Sequence, residues 1–356
     1  MHPVAILENI PNYEYHAHVI TLFSLFKGTR DNLYPSLGTA IPSLKTPSDL
    51  KAVRETIEEI QEGLVNHNRN TAKVEIHTTY RGGSITKPFT TLVALQNHCI
   101  KKTDSVIEYL LQLKTEAVQN EGQFNFIPLD NITIWDLTSH LSGLGGDNLL
   151  TGLNNTPPLI RPNTTLVYFS IGLEILSPVV EATNNKTYEY ILVKTFLSEP
   201  TWGGDLDIYA SAGGIYTNKR DMLTFGAAIL SSDIGINVGF WLKPHVFNFS
   251  RGYSISAPWE IWASFTLLES GVPVSFYIKF GDLGLSTNVL IIVPDYDLVT
   301  FIHATGAQSA ATFSLPTQDI SLVMKVLILT LEKASKESAH AAVAGTFTDQ
   351  KTNFVH

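Results

Sequence analysis

The last third of the sequence carries the pattern that most restricts the fold. Segments 273–280, 287–293 and 298–304 are wholly apolar or alternate between apolar and polar residues, which is typical of β-strands. Residues 294–297 (Pro-Asp-Tyr-Asp) have the composition of a turn. Residues 317–334 follow, with apolar side chains on one helical face. The pattern therefore predicts an antiparallel run of strands with a closing helix.

The preceding two-thirds of the chain are predicted to be mostly helical. Apolar residues at three- and four-residue steps favour helices over 48–64, 84–99, 105–114, 131–141, 171–191 and 219–230. A break is expected at Asn184-Asn185, a glycine-rich loop at 211–217 and a strand at 73–80. This order predicts an α+β fold in which one antiparallel sheet, built from both chain ends, is flanked by helices, with a mostly helical insertion between them.

Three stretches of the chain are expected to differ in organisation. Residues 1–46 show no clear periodicity and contain prolines, which predicts an irregular N-terminal segment. Residues 47–341 hold all the predicted core elements and are interpreted as one domain. Residues 342–356 are left as a C-terminal tail.

Composition and charge narrow the classes of partner. The chain has 24 basic and 33 acidic residues and no basic cluster, which argues against a nucleic-acid partner. No apolar run reaches the roughly 18 residues of a spanning helix, so no membrane span is predicted. Cys99 is the only cysteine, which excludes an intrachain disulfide and a cysteine-rich zinc site.

Glycosylation motifs give a weak indication of compartment. Asn-X-Ser/Thr sequons begin at Asn131, Asn154, Asn163, Asn185 and Asn248, and they point to a secretory ancestry. Segment 19–26 is apolar but short, and it has neither a basic flank nor a small-residue cleavage site, so no clear signal peptide is predicted. The localisation and the oligomeric state are left open.

The sequence Ser84-Ile-Thr-Lys87 is a candidate nucleophile motif. At a helix start its two polar residues lie one turn apart on one face, so the amine can take the hydroxyl proton. The helix N-terminus also offers partial positive charge to a developing oxyanion. Ser48-Asp-Leu-Lys51 matches the same motif but opens a charge-rich helix, so it is interpreted as an N-cap and a surface lysine. Ser84 instead follows a Gly-Gly turn and precedes an apolar helix.

Three further segments follow Ser84 in an informative order. They are Ser139-His140-Leu-Ser-Gly-Leu144, Tyr168-Phe-Ser170-Ile-Gly172 and Lys279-Phe280-Gly281-Asp282. Taken singly, His140 is best explained as a capping or packing residue, Tyr168 as a core or rim aromatic, and Lys279 as a solvated edge charge. Their order along the chain favours one shared site.

With these motifs the chain resembles the serine β-lactamase-like hydrolases, which include class C β-lactamases, D-alanyl-D-alanine carboxypeptidases and related esterases. The resemblance covers residues 48–348, and the segments APWEI and KFGDLG are most similar to the fungal secreted β-lactamase-related branch. It implies a β-lactamase/transpeptidase-like fold, and it implies neither a metal nor a cofactor.

The resemblance also implies roles for the residues at the matching positions. Ser84 would be the nucleophile, Lys87 its partner and Tyr168 the base. The oxyanion hole would consist of the backbone N–H groups of Ser84 and Asp282. The expected substrate-binding residues are Ser170, Lys279, Phe280, Gly281 and Asp282.

Two of these residues depart from the family pattern. Ser170 stands where the family has an asparagine, so an amide that positions the substrate and the lysine is expected to be lost. Phe280 replaces a small hydroxyl residue. If Lys279 and Gly281 point away from the cleft, the two-residue strand period turns Phe280 into it, where its ring would narrow the site.

A further departure from the family pattern concerns the C-terminal residues. In the fungal branch a barrel-like domain commonly follows an Ala-Gly-Thr-aromatic motif, and here Ala344-Gly-Thr-Phe347 is almost terminal. Residues 342–356 are therefore interpreted as the remnant of a junction to a missing C-terminal domain.

The resemblance favours a serine hydrolase that cleaves or transfers an acyl group from a small-molecule ester or amide through an acyl-Ser84 intermediate. Two alternatives stay open: a catalytically impaired descendant that retains a binding pocket, and an acyltransferase of fungal secondary metabolism. Ser170 and Phe280 favour the impaired descendant, whereas the intact Ser84, Lys87, Tyr168 and Lys279 favour the enzyme.

The second Ser-x-x-Lys motif gives a direct test of the choice of nucleophile. Ser48→Ala is expected to lower the free energy of unfolding by about 1 kcal/mol at most, as the loss of a helix cap would. It is expected to leave any acyl-transfer activity unchanged, as measured by turnover of an activated ester. A loss of turnover comparable to that caused by Ser84→Ala would contradict the assignment.

Overall fold

One seven-stranded antiparallel sheet organises the computed structural model, which describes residues 19–26, 55, 76–111, 113, 129–145, 160–196, 209–247, 252–283, 286–305 and 315–343. The strands are β1 (Val19–Phe26), β2 (Tyr80–Arg81), β3 (Tyr216–Thr217), β4 (Val246–Phe247), β5 (Tyr253–Ile255), β6 (Glu260–Ser264), β7 (Val274–Leu283), β8 (Ser286–Val293) and β9 (Leu298–Thr305). Across the large sheet the order is β1-β9-β8-β7-β6-β5-β4. Strands from β4 to β9 therefore pair with their neighbours in the chain, whereas β1 joins the edge beside β9.

Most of the described helices lie between β2 and β4 in the chain. Those between the two strands are α1 (Thr86–Gln96), α2 (Ile134–Thr138), α3 (Ile171–Asn184), α4 (Tyr188–Phe196), α5 (Ala210–Gly213), α6 (Lys219–Leu230) and α7 (Val238–Trp241), and α8 (Leu315–Val343) follows β9. The predicted α+β class with a mostly helical insertion is confirmed. Among these helices, none combines the length and the apolar character needed to cross a bilayer.

Strand β8 is buried on both faces of the sheet, which explains its unbroken apolar run. Leu290 and Ile292 belong to the core formed with the helical insertion. Val289 and Ile291 belong to the core formed with α8. Successive side chains of a strand point to opposite faces, so the polar positions of an ordinary alternating strand disappear when both faces are covered.

Two helix boundaries follow local signals in the sequence. Asn185 ends α3 in the left-handed conformation at φ 51°, and its N–H donates to the carbonyl oxygen of Glu181. The predicted break at Asn184-Asn185 is thereby confirmed, because α4 begins only at Tyr188. Asn218 caps α6 by accepting a hydrogen bond from the backbone N–H of Asp221.

The prediction of an irregular segment over residues 1–46 is wrong at Val19–Phe26. These residues form strand β1, which pairs antiparallel with β9 so that Val19 lies opposite Thr305. The strand completes the sheet with a partner almost three hundred positions away in the chain, and no local pattern encodes such a pairing.

Several predicted boundaries also differ from the structure. Of the strand expected over 73–80, residues 73–75 lie outside the described residues and 76–79 are turn or irregular. Strand β2 begins at Tyr80 and pairs with Tyr216–Thr217 of the predicted glycine-rich loop. That loop also contains helix α5. Of the helix expected over 105–114, Val106–Glu108 form a 3₁₀ turn, Leu111 and Leu113 are helical, and residues 112 and 114 lie outside the described residues. The helix expected over 131–141 is reduced to the short α2, which follows a second 3₁₀ turn at Leu129–Asn131. The helix expected over 48–64 lies outside the described residues except for Glu55, which is helical.

Gly226 allows helix α6 to lie directly on the sheet. A Cβ atom at this position would overlap the methyl groups of Val299 on β9. Gly226→Ala is therefore expected to lower the free energy of unfolding by about 1–3 kcal/mol, measured by urea denaturation. Alanine otherwise favours a helix over glycine by about 1 kcal/mol, so an increase in stability would contradict this packing.

Candidate active site

Ser84 lies in a tight turn that rests directly on strand β7. The 3₁₀ turn Gly83–Ile85 precedes helix α1, and Gly83 has a positive φ of 54°. A Cβ atom on Gly83 would lie 2.8 Å from the backbone nitrogen of Asp282. A Cβ atom on Gly281 would overlap the carbonyl oxygen of Gly82. Glycine is needed on both sides of this contact because the two backbones approach too closely for any side chain.

The amine of Lys87 reaches the hydroxyl of Ser84, as the motif predicts. Its Nζ donates to Ser84 Oγ at 3.0 Å, to Ser170 Oγ at 3.2 Å and to the carbonyl oxygen of Ala212 at 3.0 Å. The side chain is fully buried. Burial, aided by the positive charge of Lys279, lowers the pKa of Lys87, although Tyr168 acts in the opposite direction. A lowered pKa raises the fraction of neutral amine, whose lone pair can accept the proton of Ser84.

Tyr168 lies beside Ser84, Lys87 and Lys279. Its ring centroid lies 5.5 Å from Lys87 Nζ and 4.7 Å from Lys279 Nζ. Burial acts most strongly and raises the pKa of Tyr168. The charges of Lys279 and Lys87, with hydrogen bonds to Ser84 and Lys279, outweigh burial, so the pKa lies below its usual value. The residue as a whole nevertheless exposes 42% of its surface, which leaves it within reach of a substrate.

Lys279 forms a buried ion pair with Glu260. The lysine has no exposed surface, and its Nζ lies 3.0 Å from Glu260 Oε1. Burial lowers the pKa of Lys279. Tyr168 and Glu260 raise it by more than burial lowers it, so the resulting pKa lies above the usual value. Lys279 therefore stays protonated and supplies a fixed positive charge beside Tyr168. Glu260 was not among the site residues expected from the sequence.

Ser170 retains the lysine contact that its small size was expected to lose. It precedes helix α3, and its hydroxyl accepts a hydrogen bond from Lys87 at 3.2 Å. The expectation that the missing amide leaves Lys87 without this positioning contact is therefore wrong. A hydroxyl can replace the amide because Lys87 is close enough to reach it.

The prediction that Phe280 points into the site is wrong. On β7 the side chain of Lys279 faces Tyr168 and Glu260, so the next side chain faces the opposite side of the sheet. Phe280 packs against the core formed with α8, and its ring lies 5.8 Å from that of Trp262. The two-residue period fixes that side chains alternate but not which of them faces the site, and the ring of Phe280 does not narrow the site.

His140 packs against the base candidate. It is 2% exposed, adopts a left-handed conformation at φ 59°, and its ring centroid lies 4.4 Å from that of Tyr168. Burial, with the charges of Lys279 and Lys87, holds the pKa of His140 well below its usual value. A neutral imidazole therefore supports the Tyr168 ring, in agreement with the packing role expected for this residue.

Two polar residues near the site were not predicted from the sequence. Asn288 and His303 lie on β8 and β9, are buried, and are hydrogen-bonded to each other at 2.7 Å. The signal that was available is Asn288 itself, because an amide within an apolar strand requires polar partners. Across the described parts of the chain, no group of three or more His, Cys, Asp or Glu side chains is arranged to hold a metal ion.

The fold is similar to those of solved enzyme structures. A class C beta-lactamase is 18% identical with a TM-score of 0.56, covering 72% of this chain and 83% of that one. A D-stereospecific amidohydrolase from Streptomyces sp. is 15% identical with a TM-score of 0.53, covering 65% of this chain and 84% of that one. At this level of identity the likeness shows a shared fold, and the predicted β-lactamase/transpeptidase-like fold is confirmed.

The chain has sequence relatives in Cochliobolus lunatus and Arthroderma benhamiae. The probable hydrolase clz13 of Cochliobolus lunatus is 22% identical over 222 residues, 56% of this chain and 35% of that protein. A beta-lactamase-like protein of Arthroderma benhamiae is 21% identical over 348 residues, 77% of this chain and 56% of that protein. The chain thus spans between 35% and 56% of the length of these two relatives. A model of the Beta-lactamase family matches residues 53–324, and because this match extends over well more than half of the 356 residues, the chain belongs to the Beta-lactamase family.

Proposed function

We propose that this chain is a serine hydrolase that cleaves an ester or amide through an acyl-Ser84 intermediate. The observation that carries the proposal is the 3.0 Å hydrogen bond between Lys87 Nζ and Ser84 Oγ. The buried amine has a lowered pKa, and Tyr168, also with a lowered pKa, adjoins the same hydroxyl. A hydroxyl nucleophile with a base in hydrogen-bonding reach is the arrangement that covalent catalysis needs.

Acylation would proceed by attack of Ser84 Oγ on the substrate carbonyl carbon. The hydroxyl proton passes to Tyr168 or Lys87, and the backbone N–H groups of Ser84 and Asp282 donate hydrogen bonds to the carbonyl oxygen as it becomes negatively charged. Collapse of the intermediate breaks the bond to the leaving alcohol or amine, which takes the proton. Water then attacks the acyl-Ser84 ester by the same steps in reverse. The fixed charge of Lys279 favours the phenolate form of Tyr168 throughout.

The charges of the site favour an uncharged acyl donor. Lys279 is the positive group of the Lys279-Phe280-Gly281-Asp282 segment, and Glu260 neutralises it at 3.0 Å. A substrate carboxylate placed there would meet the negative charge of Glu260 as well as the positive charge of Lys279, so its net attraction is small. We therefore expect neutral esters to react faster than β-lactams, which carry a carboxylate. The bulk of Phe280 does not contribute to this preference, because its ring faces the other side of the sheet.

Covalent labelling tests the nucleophile. With a fluorophosphonate probe, Ser84 Oγ bonds to phosphorus, fluoride leaves and the hydroxyl proton passes to the adjacent base. Intact-mass analysis is expected to show one adduct, which Ser84→Ala abolishes and Ser48→Ala retains. An inert but folded wild-type chain would favour the alternative of an impaired protein that only binds its ligand.

Removing the charge of Glu260 tests the proposed preference for neutral substrates. Glu260→Gln is expected to raise kcat/KM for 4-nitrophenyl hemisuccinate relative to 4-nitrophenyl butyrate by about tenfold, equivalent to about 1.4 kcal/mol. The ratio is unaffected by the fraction of active protein. Glu269→Gln, the same chemical change at an exposed position, should leave the ratio as it is. Rapid hydrolysis of nitrocefin by the wild-type chain, abolished by Ser84→Ala, would contradict the preference.

A further inference from the structure

We propose that Asn288 and His303 are positioning residues that hold the Ser84 turn at a fixed distance from strand β7 and so set the width of the oxyanion pocket. This inference rests on the proposed function, because the pocket lies between the backbone N–H groups of Ser84 and Asp282. Neither residue touches the reacting atoms. Their effect is transmitted through backbone carbonyl groups on the two sides of the pocket.

The amide of Asn288 joins two segments that are far apart in the chain. Asn288 is fully buried, and its Nδ2 donates to the carbonyl oxygen of Arg81 at 2.8 Å and to that of Gly281 at 3.0 Å. In the sheet, Asn288 lies directly opposite Gly281 on β7 and His303 on β9. One side chain thus binds strand β2 and strand β7 at once.

The two acceptors of this amide flank the proposed pocket. Arg81 precedes the Gly82-Gly83 turn that carries Ser84, and Gly281 is bonded to Asp282. The turn and the strand are already in backbone contact at Gly82 and Gly281. Asn288 adds a hydrogen bond to each side, which opposes sliding of the turn along the strand. A shift of about 1 Å at an active site can cost a hundredfold in rate, so such a restraint has a measurable consequence.

His303 fixes the orientation of the amide. Both Nδ2 hydrogens of Asn288 are directed to carbonyl oxygens, so its Oδ1 must accept, and His303 Nδ1, 2.7 Å away, must be the donor. Burial, with the positive charge of Lys219, lowers the pKa of His303 to about 4, so the ring is neutral near pH 7. The ring also stacks on Tyr80 at 3.9 Å and 17°. His303 therefore contacts strand β2 beside Arg81 as well.

A purely structural role for the pair would change stability without changing the chemistry of Ser84. The two roles are separated by measuring the labelling rate of folded protein with a fluorophosphonate probe, well below the unfolding temperature. Labelling at several probe concentrations separates the binding constant of the probe from the maximal rate of phosphonylation. The free energy of unfolding is measured for each variant in urea.

Asn288→Leu replaces the amide with an apolar group of similar size. It is expected to lower the maximal rate of phosphonylation by at least about tenfold, while the probe binding constant changes little; removal of an oxyanion donor itself costs about 100- to 1,000-fold. Val289→Ala is the matched control, because it lies next to Asn288 on β8 but belongs to the core formed with α8. This control should lose stability and keep the wild-type rate. Equal rates in Asn288→Leu and wild type would overturn the positioning role.

Variants of His303 provide an independent test that does not depend on the folding of Asn288→Leu. His303→Asn keeps a donor at the place of Nδ1, whereas His303→Leu removes it. The rate is expected to fall in His303→Leu and to be largely restored in His303→Asn. Equal rates in these two variants would contradict the orienting role of His303.

Failure of the inference differs from failure of the proposed function. A wild-type chain that forms no adduct overturns the proposed function and the positioning role with it. A wild-type chain labelled at Ser84, together with an equally fast Asn288→Leu, overturns the positioning role alone. A slower Asn288→Leu with an unaffected Val289→Ala supports both.

Discussion

The close contact between the Gly82-Gly83 turn and Gly281 is the constraint on which the site depends. Because neither backbone carries a side chain at the point of contact, the turn lies on the sheet itself. Ser84 is thereby placed at the junction of strand β7 and helix α1, where residues from the helical insertion and from the sheet can reach it. A side chain on Gly83 or Gly281 would separate the turn from the strand and move Ser84 away from Asp282.

This junction brings together charges that the protein interior would otherwise disfavour. Lys87 and Lys279 are both fully buried, yet their pKa values shift in opposite directions. Lys87 donates only to uncharged oxygens, and desolvation, aided by the charge of Lys279, outweighs the opposite effect of Tyr168 and favours the neutral form. Lys279 has Glu260 at 3.0 Å and Tyr168 beside it, so it keeps its proton. Two residues of one type thus become suited to different tasks, proton transfer and charge stabilisation.

The packing of the sheet fixes the orientation of the side chains in this arrangement. Its two buried faces fix strand β7 between the helical insertion and α8, which determines that Lys279 faces Tyr168 and that Phe280 faces the opposite core. The row Gly281, Asn288 and His303 crosses three adjacent strands on the face of Lys279. A polar row of this kind is stable only when its groups are satisfied, and here the hydrogen bonds end on the backbone of β2 and β7.

The sequence by itself determined the elements whose signals are local. Local patterns along the chain indicate the apolar strands, the cap of α6 at Asn218, the break at Asn185 and the order of the four motifs. The proximity of Ser84 and Lys87 is also local, because the two residues lie one helical turn apart. Only the tertiary structure decided which face of β7 meets the site, because a two-residue period fixes alternation but not its starting side. It also decided that Val19–Phe26 pairs with β9, and that Glu260 and Asn288 adjoin the site. These contacts join residues far apart in sequence, and their free energy depends on burial and distance that exist only once the sheet has formed.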